Sequence, residues 1–111
     1  MADAPIYPLT VRIGDTETIS LTLRSNGTAV DITGRSYAAQ IRSTAASTAV
    51  IATFTCTVTN GTGGSVQCTL PAATTAALTA GQAVYDIQET NSSTVTTLLQ
   101  GPTFIVQDVT R

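Results

Sequence analysis

The sequence contains no histidine, no lysine and no tryptophan. Without histidine, the Ser-His-Asp and Cys-His arrangements of nucleophilic catalysis cannot form, and the commonest metal ligand is missing. Without lysine there is no Schiff-base nucleophile and no lysine for a phosphate-binding loop. The seven acidic residues are spread along the chain, and we expect them to lie on solvated edges or to cap the backbone. We therefore predict no catalytic, cofactor-binding or metal-binding residues, and not an enzyme.

Charge is also scarce. Only 11% of the residues are charged, compared with roughly 25% in an ordinary globular domain. The five arginines stand singly along the chain, whereas nucleic-acid binding requires a basic stripe that neutralises phosphates. No run of about 18 apolar residues is present, so no membrane-spanning helix is expected. The first residues lack the basic and apolar regions of a signal peptide, which indicates synthesis in a cytoplasm.

Threonine replaces the missing charge, at 23 of the 111 residues. Its β-branched side chain favours strands, and its hydroxyl keeps a surface compatible with water without adding charge. Because net charge keeps small domains apart, a surface this poor in charge indicates contact with partner proteins. The alternative is a threonine-rich soluble domain with nothing bound.

Apolar and polar residues alternate with the period of β-strands, and turn signals interrupt them at regular intervals. The strongest turn signals are Asn26-Gly27, Asn60-Gly61 and Asn91-Ser92-Ser93. The pattern predicts an all-β fold, an immunoglobulin-like β-sandwich of seven to eight antiparallel strands, with a small barrel as the second choice. The run from Val50 to Thr59 is expected to form one strand, and Phe54 and Phe104 are expected on apolar faces.

Three local features complete the predicted fold. Alanines and a leucine after Pro71 indicate one short helical turn near 72–80, ended by Gly81. Gly101-Pro102 is expected to be a bulge or a break in the last strand. Tyr85 lies where immunoglobulin-like domains often tie a tyrosine hydroxyl to the corner backbone, so we predict a structural role for it.

The two cysteines are predicted to face each other across one hairpin. Cys56 and Cys68 lie six residues on either side of Thr62, the centre of the turn, and both fall on the apolar face. A cross-strand disulfide is one interpretation. Two buried thiols that act as small apolar side chains are the other, and synthesis in a cytoplasm favours them.

Several segments resemble small phage structural proteins. They are Arg12-Ile13-Gly14-Asp15-Thr16, Asn26-Gly27, Val30-Asp31-Ile32-Thr33-Gly34, Gln40-Ile41-Arg42, Leu70-Pro71, Thr75-Ala76-Ala77-Leu78, Tyr85-Asp86-Ile87-Gln88, Phe104-Ile105-Val106 and Asp108-Val109-Thr110-Arg111. Similar segments occur in the immunoglobulin-like domain that begins phage baseplate upper proteins and tail-fibre proteins, and in stand-alone head decoration or cement proteins. The resemblance covers nearly the whole chain, and its motifs are turn and core signatures.

The resemblance implies a virion protein made in the host cytoplasm. Because longer relatives continue into a fibre region and this chain stops at Arg111, we expect a capsid decoration or cement protein. Its partners would be the major capsid protein, other virion proteins and its own copies in the particle, with no nucleic acid and no membrane. A tail, baseplate or neck component is the alternative, and a non-phage binding module a further one.

The predicted domain boundaries are an N-terminal arm at 1–8 and the sandwich at 9–111. Two prolines and a weak propensity for secondary structure suit the arm to contact with a partner. Its residues are Met1, Ala2, Asp3, Ala4, Pro5, Ile6, Tyr7 and Pro8.

Overall fold

The alternating pattern folds as ten β-strands and one short helix in residues 6–107, the part of the chain that the computed structural model describes. The elements are β1 (Leu9–Arg12), β2 (Glu17–Thr22), β3 (Arg24–Ser25), β4 (Thr28–Ala29), β5 (Ser36–Arg42), β6 (Val50–Thr53), β7 (Thr55–Asn60), β8 (Ser65–Leu70), α1 (Ala72–Thr75), β9 (Gly81–Asn91) and β10 (Thr94–Val106). Fifteen apolar side chains form one buried core between the sheets.

The strands form two main sheets. The five-stranded sheet has the order β1-β10-β9-β5-β6, the three-stranded sheet has the order β2-β8-β7, and β3 and β4 form a separate hairpin. This arrangement confirms the predicted all-β sandwich of two sheets. Two details of the prediction are wrong: the described residues form ten strands, and β1 pairs with β10 in parallel rather than antiparallel.

The run from Val50 to Thr59 is divided between the two sheets rather than forming one strand. It pairs with β5 as β6, then passes to the other sheet at Phe54 and continues as β7 beside β8. At the crossing, the Phe54 N–H donates to the Ala39 carbonyl at 2.9 Å. The Phe54 side chain is only 4% exposed, as predicted. One aromatic residue therefore fills the core where the chain changes sheet.

The predicted turns are confirmed where the backbone requires positive φ. Asn26 and Gly27 have φ of 53° and 80°, which is the type I′ turn that matches the twist of a hairpin. Ser92, in the third predicted turn, has φ of 57°. The turn residues thus locate the hairpins correctly from the sequence alone.

The helix is shorter than predicted, and Gly81 does not end it. α1 covers Ala72–Thr75 and a turn follows it, while Gly81 is the first residue of β9. Thr75, the last residue of the helix, is fully buried, and its hydroxyl makes a tertiary contact. It donates to the Asp15 carbonyl at 2.7 Å and accepts from the Gly14 N–H at 3.1 Å. These bonds fasten the helix to the turn between β1 and β2.

The face assignment at the end of β10 is wrong in the prediction. Thr103 and Ile105 point into the core, and Phe104 points outward with 37% of its surface exposed. The prediction placed a bulge or break at Gly101-Pro102, but β10 continues through it. Because Leu99 packs against the core and alternation from it is unbroken, Thr103 and Ile105 point inward and Phe104 points outward. The register shift of β10 lies earlier, between Thr97 and Leu99.

The described part of the predicted arm lies along the sheet edge. Ile6 bridges Gln100 in parallel, and the Tyr7 N–H donates to the Gln100 carbonyl at 2.8 Å. The boundary predicted at Pro8 therefore falls inside a segment that already follows β10. Residues 1–5 of the predicted arm, and 108–111 of the predicted domain, lie outside the described residues.

Candidate interaction surfaces

The outer face of the three-stranded sheet carries nine uncharged polar residues, and we call it the hydroxyl face. Strand pairing arranges them in three rows across β2, β8 and β7. The rows are Thr18-Thr69-Thr55, Ser20-Gln67-Thr57 and Thr22-Ser65-Asn60. Seven of the nine side chains are hydroxyls. The alternation of threonine with apolar residues, read from the sequence, therefore produces a surface of hydrogen-bonding groups without charge.

The hydroxyls on this face lie in a regular array. Neighbouring strands are about 4.8 Å apart, and alternate residues on one strand are roughly 6.7 Å apart. Thr18 and Thr69 are close enough for their Oγ1 atoms to lie 3.5 Å from each other. A partner that covers such a face displaces water from neutral groups only, which costs much less than desolvating charges. The face is suited to packing against another protein.

The outer face of the five-stranded sheet has a different character, and we call it the five-stranded face. Its exposed apolar side chains include Ile6, Val50 and Phe104, of which Ile6 is 72% exposed. Ile6, Val84 and Pro102 line a shallow depression of about 560 Å³. Val50 and Phe104 lie on the same face at neighbouring positions of the sheet. The depression also contains the polar groups of Gln40, Arg42, Asp86, Gln88 and Gln100.

Arg42 and Asp86 supply opposite charges near the centre of the five-stranded face. Gln40 pairs with Asp86, and Arg42 pairs with Val84, so the two charged residues are diagonal neighbours on adjacent strands. Arg42 donates to the Gln40 side-chain oxygen and to the Ser47 carbonyl, each at 2.8 Å. Within residues 6–107 the single ion pair joins other residues, so Arg42 and Asp86 form no salt bridge with each other.

The single ion pair lies at one end of the core. Glu89 is buried, accepts a 2.6 Å hydrogen bond from the Tyr37 hydroxyl and lies 3.4 Å from Arg35. Burial, followed by the bond to Glu89, raises the pKa of Tyr37 well above its usual range. The expectation of a solvated edge is therefore wrong for Glu89. By contrast Asp31 caps its turn as expected, because it accepts from the Thr33 N–H at 3.0 Å.

Cys56 and Cys68 lie directly opposite each other, as the hairpin spacing predicts. Both are free thiols, and their sulfur atoms are 3.1 Å apart. Their shared hydrogen bond lowers the pKa of Cys56, which is half-buried, and raises that of Cys68, which is fully buried. The pair therefore has one thiol that ionises readily and one that resists ionisation.

Tyr85 has a structural role, but its partner differs from the predicted one. Its hydroxyl donates to the Tyr7 carbonyl at 2.7 Å rather than to the corner between β8 and β9. Burial raises the pKa of Tyr85 to about 12, so the hydroxyl keeps its proton and remains a donor at neutral pH. At the same place Gly101 has no side chain, and a Cβ there would overlap the Tyr7 backbone. In the sequence, the signal for this contact is Gly101-Pro102, which lies opposite Tyr7-Pro8 in the parallel pairing and contains the glycine that lets the Tyr7 backbone approach.

Neither a metal site nor a membrane span occurs in the described range. Residues 6–107 contain no cluster of three or more potential metal-binding side chains. No helix among them has the length and hydropathy needed to cross a bilayer.

The fold is similar to that of the N-terminal domain of ORF48 from phage TP901-1. The TM-score is 0.53, with 10% sequence identity over 87% of this chain and 82% of that chain. InlP of Listeria monocytogenes aligns with a TM-score of 0.49 and 19% identity over 90% of this chain, which spans 26% of that chain. No protein-family model matches the chain, and no curated protein matches it in sequence. The chain is thus an all-β sandwich whose fold is shared with a phage protein domain.

Proposed function

We propose that this chain is a structural protein of a bacteriophage particle and that it acts through protein–protein contacts, not catalysis. The observation that carries the proposal is the hydroxyl face, a regular array of nine polar side chains without one charge. The sequence resemblance to phage virion proteins supports it, as does the fold shared with a phage TP901-1 domain. Such a face gives a partner many hydrogen bonds at a low desolvation cost.

Among virion roles, we propose a decoration or cement protein of the head, with the major capsid protein as the partner of the hydroxyl face. A capsid offers the same site many times, and a neutral interface holds equally well over a wide range of ionic strength because it contains little for salt to screen. Such a protein is made in the host cytoplasm, assembles onto the head and remains part of the virion. In this arrangement the three-stranded sheet faces the capsid.

A tail, baseplate or neck component is the second candidate. It is supported by the resemblance of the sequence to the domain that begins phage baseplate upper and tail-fibre proteins. Copy number separates the two candidates, because a head lattice takes up hundreds of copies and a tail part about a dozen. Quantitative mass spectrometry of purified particles measures this number. Absence of the chain from the particles would contradict both candidates.

The role of the hydroxyl face is tested by one nearly isosteric substitution. Gln67 is exposed in the central row of the face, so Gln67→Glu adds a charge there with almost no change in shape. We expect the variant to fold normally and to bind particles at least about tenfold more weakly, because the new carboxylate must be desolvated in the interface. Gln107→Glu, the same change at an exposed position beyond β10, is the control and should bind normally. Equal binding of the two variants would show that the partner lies elsewhere.

A further inference from the structure

We propose that the five-stranded face is a self-association surface, and that its partner is the same face of a second copy of this chain. The inference concerns the opposite side of the sandwich from the hydroxyl face and does not depend on the phage role. It rests on the outward apolar side chains, the arrangement of the two opposite charges and the size of the sheet.

The register of β10 exposes an aromatic ring while it buries a hydroxyl. Phe104 points outward, and Thr103 is fully buried with no hydrogen-bond partner for its Oγ1 within residues 6–107. A buried hydroxyl without a partner costs roughly 1–3 kcal/mol, and an exposed phenyl ring forgoes the stabilisation of burial. The same register buries Ile105 in the core, but it leaves the Phe104 ring without the stabilisation of burial. A second copy that covers Phe104 accounts for the outward ring.

The charges of the five-stranded face suit a self-complementary contact. In a two-fold symmetric interface, each residue of one copy meets the corresponding partner residue of the other. We place the two-fold axis in the plane of the interface, midway between Arg42 and Asp86 and perpendicular to the line that joins them. Rotation about this axis sets each Arg42 against the Asp86 of the other copy. Arg12, at the β1 corner of the same face, remains at the rim.

The sheet is large enough for such a contact. From the usual spacings in a β-sheet, its five strands are about 24 Å wide side by side, and their mean length is roughly 26 Å. The footprint of about 600 Å² per copy approaches the roughly 800 Å² that each partner buries in an interface of standard size. A face of this area, with opposite charges near its centre and apolar side chains around them, is large enough for a small dimer interface.

Charge reversal tests the pairing directly. The full chain is measured by sedimentation velocity over a concentration series, and we expect a dimer. Arg42→Glu and Asp86→Arg, each made alone, bring like charges together across the axis and should weaken association at least about tenfold. The double variant restores opposite charges in the reverse order and should return the dissociation constant to within about threefold of the wild type.

One matched control and one further test accompany these variants. Arg24→Glu makes the same charge change on the β3–β4 hairpin, away from the face, and should leave the dimer intact. Phe104→Thr removes the exposed ring without touching a charge and should also weaken the dimer. Circular dichroism of every variant checks that it is folded. A wild-type chain that stays monomeric at every concentration overturns the proposal, and so does a double variant that stays as weak as the single ones.

Discussion

The Tyr85 hydroxyl donates a 2.7 Å hydrogen bond to the main-chain carbonyl of Tyr7, 78 residues earlier in the chain. The bond joins the centre of β9 to the segment that follows the edge of β10. A side chain of the core therefore holds the beginning of the described chain in place, although Tyr7 itself is largely exposed.

Loss of this bond should loosen the segment before β1. We expect Tyr85→Phe to lower the free energy of unfolding by about 1 kcal/mol, the usual net value of one hydrogen bond. Urea unfolding followed by circular dichroism measures the change. Tyr7→Phe is the control, because the acceptor is the main-chain carbonyl and survives the substitution. An equal loss in both variants would show that the effect does not come from the bond between Tyr85 and the Tyr7 carbonyl.

Truncation at two points should give different results. Removal of residues 1–5 leaves Ile6, Tyr7 and their bonds to Gln100 intact, so we expect the melting temperature to stay within about 2 °C of the wild type. Removal of residues 1–8 also takes away the acceptor for Tyr85 and should lower the melting temperature by roughly 4–8 °C for each kcal/mol lost. Differential scanning calorimetry of both proteins measures this. Equal melting temperatures would mean that the edge segment adds no stability.

The two phenylalanines should respond differently to the same substitution. Phe54→Ala empties a core site at the point where the chain changes sheet, and we expect a loss of about 3–5 kcal/mol. Phe104→Ala removes an outward ring and should cost the single chain less than about 1 kcal/mol. Chemical unfolding at low protein concentration, where association is negligible, gives both values. A loss below 1 kcal/mol at Phe54 would contradict the sheet register described above.

Two buried threonines should show opposite effects of valine. Thr103→Val replaces a hydroxyl that has no hydrogen-bond partner within residues 6–107, so it should leave stability unchanged or raise it by up to about 1 kcal/mol. Thr75→Val removes the bonds to Asp15 and Gly14 and leaves their backbone groups without a partner. This change should cost roughly 1–3 kcal/mol. Thermal unfolding of both variants measures the difference. A destabilised Thr103→Val protein would indicate that its hydroxyl has a partner after all.

The cysteine pair should react in a fixed order. Cys56 is half-buried and its pKa is lowered, while Cys68 is buried and its pKa is raised. Because the thiolate is the reactive form, iodoacetamide should modify Cys56 first, and at a lower pH than an ordinary cysteine. Peptide mass spectrometry over a pH series follows the two sites. In the Cys68→Ala variant, which removes the hydrogen bond, the early onset at Cys56 should move to higher pH. Faster labelling of Cys68 in the wild type would reverse the assignment.

The sequence was sufficient to predict the class of fold, the hairpin turns and the facing cysteines, because each of these depends on local alternation and turn residues. It failed at Phe104, because it placed the irregular point of the last strand at Gly101-Pro102, whereas the register shift lies between Thr97 and Leu99 and alternation is unbroken beyond it. It also failed at Glu89, whose burial depends on Tyr37 and Arg35, more than 50 positions away.

The two outer faces were foreseen only in part. Alternating threonines predicted a polar side on each strand, but the register between β2, β7 and β8 decides that these sides form a single array. The opposite charges of the five-stranded face come from β5 and β9, which are distant in sequence and meet only in the folded sheet.

The parallel pairing of β1 with β10 also has a consequence for synthesis. Leu9 cannot reach its neighbour Thr103 until almost the whole chain has been translated. At a translation rate of about 5–20 residues per second, β1 remains unpaired for roughly 5–20 s while the rest of the chain is synthesised. The domain therefore closes late, and during that interval the unpaired first strand is open to pairing with a neighbouring chain.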